Sequence, residues 1–238
     1  MGDQKNRIVK GGRLGTQFRG KLTLAYGQRG KYGSNLWYVY SPRTKRDWVL
    51  HSNLEYDHFV LTEADPTVRS VNYAPDPITI KSDEGDTRTT IFDAEVIRQD
   101  GSTEWREVKS LYDTTSRNLR QRETQTIAAS IAGVTYCRYT EEQLHTNSVL
   151  LENLRRVLAW VSAARDRSLA SYYLEVAATL DARRSIVLGE LYALGNERDY
   201  PLYLAAVMQG VLDGRLISDI ATHTLSKATL VSCLQGTA

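Results

Sequence analysis

The sequence predicts an α/β fold, with a mixed-sheet domain followed by a small helical domain. Three observations predict it. Short runs rich in β-branched and aromatic residues recur between residues 36 and 140, separated by turn signals and by two helical segments. Gln99-Asp100-Gly101-Ser102 is a hairpin signal between two such runs. From residue 148 the pattern turns helical and closes on two short apolar runs. The 238 residues, 42% of them hydrophobic, suit one large domain or two small ones with a real core.

In chain order, residues 1–35 form a basic, Gly-rich arm. LWYVYS (36–41) and DWVLHS (47–52) read as strands of a hairpin around PRTKR. SNLEYDHFVLTEAD (52–65) reads as a helix, with Leu54, His58, Val60 and Leu61 near helical spacing and Asp65-Pro66 as its stop. VRSVNYA (68–74) and ITIKS (78–82) read as strands on either side of Pro75-Asp76-Pro77. TRTTIFDAEVIRQ (87–99) reads as one longer strand, and TEWREVKSL (103–111) as its returning partner. A helix over 114–132 should end at Gly133, and VTYCRYT (134–140) should add a strand. Thr140-Glu141-Glu142-Gln143 is a capping box that opens the helical part.

SVLLENLRRVLAWVSAA (148–164) is amphipathic, RDRS (165–168) breaks it, and LASYYLEVAATL, SIVLGELYAL and YPLYLAAVMQGVLDG continue as helices. RLISDI and ATLVSCL read as short strands. Helices followed by two strands are the pattern of a small helix-turn-helix domain with a β wing. The boundaries that follow are 1–35, 36–145 and 146–238.

Several classes are excluded. No apolar run is long enough to span a bilayer, so no membrane partner is expected. MGDQKNRIVKGG lacks an apolar h-region, so no secretory signal is expected. Cys137 and Cys233 are too few and too far apart for a disulfide framework and fit thiols of a cytoplasmic protein. The four histidines form no ligand-spaced pair. Net charge is +2 overall, but residues 1–46 carry +10 and the rest −8. Lys10, Arg13, Arg19, Lys21, Arg29, Lys31, Arg43, Lys45 and Arg46 are therefore candidate phosphate contacts, and the interleaved aromatics favour DNA over a merely solvated tail.

Glu107-Val108-Lys109 sets a carboxylate and an ammonium on one face of a strand. Alone the motif occurs by chance. Asp93 on the preceding strand gives it context, provided the hairpin register puts Asp93 and Glu107 on one face, which needs an odd loop or a bulge. Glu55 is a candidate third carboxylate, although Ser52-x-x-Glu55 is also a capping box that competes for the same side chain. Glu107 and Lys109 could equally be a solvated same-face pair. Converging carboxylates hold Mg²⁺ through oxygen, and a neighbouring lysine stabilises charge on a reacting phosphate. Trp105 and Arg106 read as ordinary strand residues, and His58 as a half-buried helix residue.

Leu54-Glu55-Tyr56-Asp57, Asp65-Pro66-Thr67-Val68, Asp93 and Glu107-Val108-Lys109, in that order, resemble the TnsA family within the PD-(D/E)xK superfamily. TnsA proteins are endonuclease subunits of heteromeric bacterial transposases. Leu151-Glu152-Asn153-Leu154 and GVLDGRLISDIATHTLSKATLV resemble the family's closing region, so the resemblance spans about 35–235. Phe92 stands where the superfamily name places Pro, and Glu107 where some members carry Gln.

The resemblance implies a restriction-endonuclease-like domain followed by a winged-helix-like one. It implies Glu55, Asp93 and Glu107 as Mg²⁺ ligands, with Mn²⁺ as a substitute, and Lys109 as the catalytic lysine. It further implies cleavage of the non-transferred strand at the 5′ ends of a transposon in a bacterial cytoplasm. The implied partners are duplex DNA at the transposon ends, a DDE transposase (TnsB) and an AAA+ regulator (TnsC). Two alternatives remain: a stand-alone restriction or junction-resolving nuclease, and a non-catalytic DNA-binding adaptor.

Overall fold

A computed structural model describes residues 7–10, 35–81 and 87–234. The chain is a mixed α/β protein that divides into two compact units. The first takes residues up to Phe59 and Thr67–Leu144; the second takes Val60–Pro66 and the chain from His145. Among the described residues no helix is long and apolar enough to cross a membrane.

The strands of the first unit are β1 (Arg7–Lys10), β2 (Trp37–Ser41), β3 (Arg46–Leu50), β4 (Val68–Asn72), β5 (Ile78–Lys81), β6 (Thr87–Thr90), β7 (Ala94–Arg98), β8 (Thr103–Val108) and β9 (Thr135–Tyr139). Its helices are α1 (Asn53–Ala64), whose last turns belong to the second unit, α2 (Ser116–Ala132) and the short α3 (Glu141–Leu144). A four-stranded sheet runs β4-β7-β8-β9, antiparallel except for the parallel β8–β9 pair. A three-stranded antiparallel sheet runs β1-β5-β6, and β2–β3 form a hairpin. The strand Arg7–Lys10 lies within the stretch read from sequence as an arm.

The single strand expected over 87–99 is two. β6 pairs with β5 in one sheet and β7 with β4 and β8 in another, with Ile91-Phe92-Asp93 as the crossing between them. Phe92 causes the break. Its ring is wholly buried among Ile78, Ile80 and Ala128, with Trp105, Ile127 and Tyr136 packed against that cluster. An uninterrupted strand would have kept the run in one sheet.

α2 begins at Thr115, whose side chain accepts from Asn118 N, and ends at Gly133 with φ 67°, the left-handed value that glycine adopts without a Cβ penalty. The start of α1 is fixed from outside the helix. Trp37 Nε1 donates to Asn53 Oδ1 at 3.0 Å, and the Trp37 and Tyr56 rings stack with centroids 4.0 Å apart.

The second unit holds α4 (Ser148–Ala163), α5 (Ala170–Arg183), β10 (Ser185–Val187), a 3₁₀ helix (Leu188–Ala193), α6 (Tyr200–Leu212), β11 (Leu216–Ser218), a 3₁₀ turn (Asp219–Ala221) and β12 (Leu230–Cys233). SIVLGELYAL is therefore not one helix. Its β-branched start pairs as a strand with β12, and Glu190 folds back on the start of the 3₁₀ turn by accepting from Val187 N. β12 lies between β10 and β11 in an antiparallel sheet. Asn153, buried on α4, fastens the 220–225 segment. Its amide donates to the Ile220 and His223 carbonyls at 2.8 and 2.7 Å, and its oxygen accepts from Leu225 N at 2.9 Å. Cys137 and Cys233 are free thiols.

Candidate active site

The β7–β8 hairpin decides whether Asp93 and Glu107 can meet. Its loop is Gln99-Asp100-Gly101, closed by Arg98 N donating to Ser102 O at 2.9 Å, and Gly101 takes φ 86°. The odd loop gives the register Ala94↔Arg106 and Glu95↔Trp105. The paired register ends at Ala94↔Arg106, and Asp93 lies one residue before it, with its carboxylate near enough to Glu107 to act on its charge. Asp93 holds the hairpin end: its N donates to Arg106 O at 2.9 Å, and its Oδ2 accepts from Val108 N at 2.8 Å.

Alternation along β8 sorts the rest. Trp105, Glu107 and Lys109 face α2; Glu104, Arg106 and Val108 face α1. Glu107 is 3% exposed and is held on both oxygens. Oε1 accepts from Gln121 Nε2 at 3.1 Å and lies 3.4 Å from Lys109 Nζ; Oε2 accepts from Gln125 Nε2 at 2.7 Å. Tyr136 OH in turn donates to Gln125 Oε1 at 3.0 Å.

Burial, and then the Asp93 carboxylate beside it, push the Glu107 pKa up to about 8 against the pull of Lys109. For Lys109, burial works against the charge, but the Glu107 and Asp93 carboxylates outweigh it and raise its pKa. Burial, and then Glu107, raise Tyr136 to about 12. A cleft of about 60 Å³ opens beside this group, lined by Glu107, Lys109, Asp113, Asn118, Gln121 and Gln125, among others.

Glu55 sits elsewhere in the pattern. Its N donates to Ser52 Oγ at 3.0 Å, half of a capping box, and its Oε2 accepts from His51 N at 3.0 Å, one residue before the Ser52 cap, so the carboxylate folds back over the helix start. Among the described residues no three His, Cys, Asp or Glu side chains gather as a metal-holding group. Asp93, Glu107 and Lys109 are thus brought together, while the Glu55 carboxylate is engaged in the cap of α1.

Of the candidate DNA contacts, Arg13, Arg19, Lys21, Arg29 and Lys31 lie outside the described residues, as does the side chain of Lys10. Lys45 is exposed in the β2–β3 turn and Arg46 at the start of β3, and half-buried Arg43 donates to the Val68 carbonyl.

Two residues read as ordinary are not so. Arg106 is 2% exposed and pairs with Glu104 Oε2 at 2.7 Å, with its guanidinium 5.1 Å from the Tyr139 ring centre. His58 is buried, not half-buried; its Nε2 lies 3.4 Å from Arg106 Nη1. Burial, and then Arg106, lower the His58 pKa to about 3, so the ring is neutral at ordinary pH. Sequence reasoning also missed Gln121, Gln125 and Tyr136. The available signal was the four-residue spacing of two amides on one face of α2, a polar stripe turned towards a sheet.

Comparison with protein-family models and with curated protein sequences finds no match to this chain.

Two adjacent carboxylates form an all-oxygen donor set suited to a hard divalent cation such as Mg²⁺ or Mn²⁺. Burial of Glu107 and the neighbouring Asp93 charge raise the Glu107 pKa even with Lys109 beside it, and a divalent cation would relieve that cost. The residues present fit a divalent cation on these terms.

Proposed function

We propose that the chain is a metal-dependent DNA endonuclease of TnsA type, with a restriction-endonuclease-like first unit and a winged-helix-like second unit. The observation that carries this reading is the gathering of Asp93, Glu107 and Lys109 at the open end of the β7–β8 hairpin, with Lys109 Nζ 3.4 Å from Glu107 and the Asp93 carboxylate near enough to act on its charge. The order of the sequence motifs supports the transposase setting. In that setting the chain cuts the non-transferred strand at the 5′ ends, while a DDE transposase and an AAA+ regulator act with it on duplex DNA.

Asp93 and Glu107 would hold the cation. A bound Mg²⁺ supplies Lewis acidity towards a phosphoryl oxygen and lowers the pKa of its water. Gln121 and Gln125 fix the Glu107 carboxylate, so its oxygens need not reorganise. Lys109, kept protonated by the two carboxylates, places a positive charge where a phosphodiester gains negative charge. Glu55 would have to leave its cap to join the ligands.

The test is strand-resolved cleavage of a transposon-end duplex in Mg²⁺, with and without the transposase partner. Wild type with partner should nick the 5′ strand. Asp93→Ala and Lys109→Ala should each lose about 10²-fold or more in rate, with unchanged circular dichroism. Retained cleavage in the double variant sinks the reading. The capping role of Glu55 favours a second reading, a DNA-binding adaptor with a degenerate core, which predicts DNA binding and no cut under any of these conditions.

A further inference from the structure

An open groove of about 760 Å³ runs between β6 and α2 in the first unit, lined by Arg88, Thr89, Arg117, Arg120, Gln121 and Glu123, among others. Arg117 and Arg120 are exposed, and neither has an ion pair among the described residues. Their placement is unfavourable as it stands. Arg117 is in the first turn of α2, where the helix dipole disfavours a cation, and that turn carries no acid. Arg117 and Arg120 are three apart, so two like charges share one helix face. Arg88 joins them from β6 and is paired only loosely, with Glu123 at 3.3 Å and both side chains more than half exposed. A bound polyanion would offset all three costs. Gln121 lines this groove and also donates to Glu107, so one side chain of α2 borders both the groove and the carboxylate site.

We propose that this groove is the track for the phosphodiester backbone of duplex DNA beside the Asp93–Glu107 carboxylates, with Arg88, Arg117 and Arg120 as phosphate contacts. The identity of the ligand rests on the endonuclease reading, but binding can be measured without cleavage. Arginine suits the role because its planar fork can bind phosphate oxygens in pairs. Glu123 opposes it and limits the affinity.

The experiment is fluorescence anisotropy of a labelled duplex with the full chain in EDTA, across a salt series. Arg117→Ala/Arg120→Ala should weaken binding about ten-fold and lower the slope of log K against log salt by about 2, one per lost phosphate contact. Arg117→Lys/Arg120→Lys should keep most of the slope, and Glu123→Gln should tighten binding. The charge-matched pair Arg167→Ala/Arg198→Ala, on exposed arginines of the second unit, should change the slope less. The proposal is overturned if the full chain does not bind the duplex, if the groove pair leaves the slope unchanged, or if the control pair lowers it as much. The nuclease reading fails separately. Groove-dependent binding without any metal-dependent cut would leave this inference standing and remove that one.

Discussion

Glu107 is a carboxyl that folding makes a weaker acid. Its pKa stands at about 8, against an ordinary 4.5, so the folded protein holds a proton that the unfolded chain has lost between those values. The sign follows by linkage: this contribution to stability is whole below about pH 4.5 and is lost as pH rises through 8. It amounts to a few kcal/mol in order of magnitude. His58 acts in the opposite sense. Its pKa falls from 6.5 to about 3, so its contribution is present above pH 6.5 and is lost as pH falls towards 3. The two slopes cancel between about pH 4.5 and 6.5, and only the Glu107 slope remains from 6.5 to 8. In EDTA the melting temperature should therefore fall between pH 6.5 and 8.5, and Glu107→Gln should remove the fall and melt higher than wild type at pH 8.5. A wild-type melting temperature that is flat over that range would contradict the burial argument. The sequence made Glu107 and Lys109 visible as a pair and Asp93 as their cross-strand neighbour. It hid Gln121 and Gln125, because a glutamine on a helix is ordinary until the helix is known to lie over a carboxylate.

At the scale of elements, the hairpin and the helix ends were legible because they are local. Gly101 and Gly133 take the positive φ that their turn and cap positions ask for. The crossing at Ile91-Phe92-Asp93 was not legible. TRTTIFDAEVIRQ carries strand propensity throughout, and only the deep burial of Phe92 divides it between two sheets. The same tertiary decision made a strand and a 3₁₀ turn of SIVLGELYAL. The start of α1 makes the sharpest prediction here. Glutamine serves a capping box as well as glutamate, so Glu55→Gln should leave stability within about 0.5 kcal/mol and DNA cleavage unchanged, whereas Glu55→Ala should cost about 1 kcal/mol. Thermal melts and a cleavage assay on the two variants decide it. Loss of cleavage in Glu55→Gln, with the melt unchanged, would show that the carboxylate leaves its cap to act.

For the whole molecule, the two units divide between Leu144 and His145, and one segment, which the sequence pattern did not single out, crosses that division. Val60–Pro66 belongs to the second unit although the first unit surrounds it in sequence. Val60 is fully buried there, and the backbone at Gly214 comes so close to Pro66 that an added Cβ would lie 3.0 Å from the Pro66 Cβ. A fragment of residues 145–238 lacks that segment. It should melt well below the full chain and bind a hydrophobic dye; an equally cooperative, equally stable fragment would contradict the division. The central claim is that Asp93 and Glu107 together hold a divalent cation, and calorimetric titration of Mn²⁺ into the full chain at pH 8 tests it most directly. Wild type should bind with release of protons, since Glu107 must ionise. Asp93→Ala and Glu107→Gln should each abolish the binding heat, while Glu55→Gln keeps it. Equal Mn²⁺ uptake by wild type and by the Asp93→Ala/Glu107→Gln double variant would contradict the account.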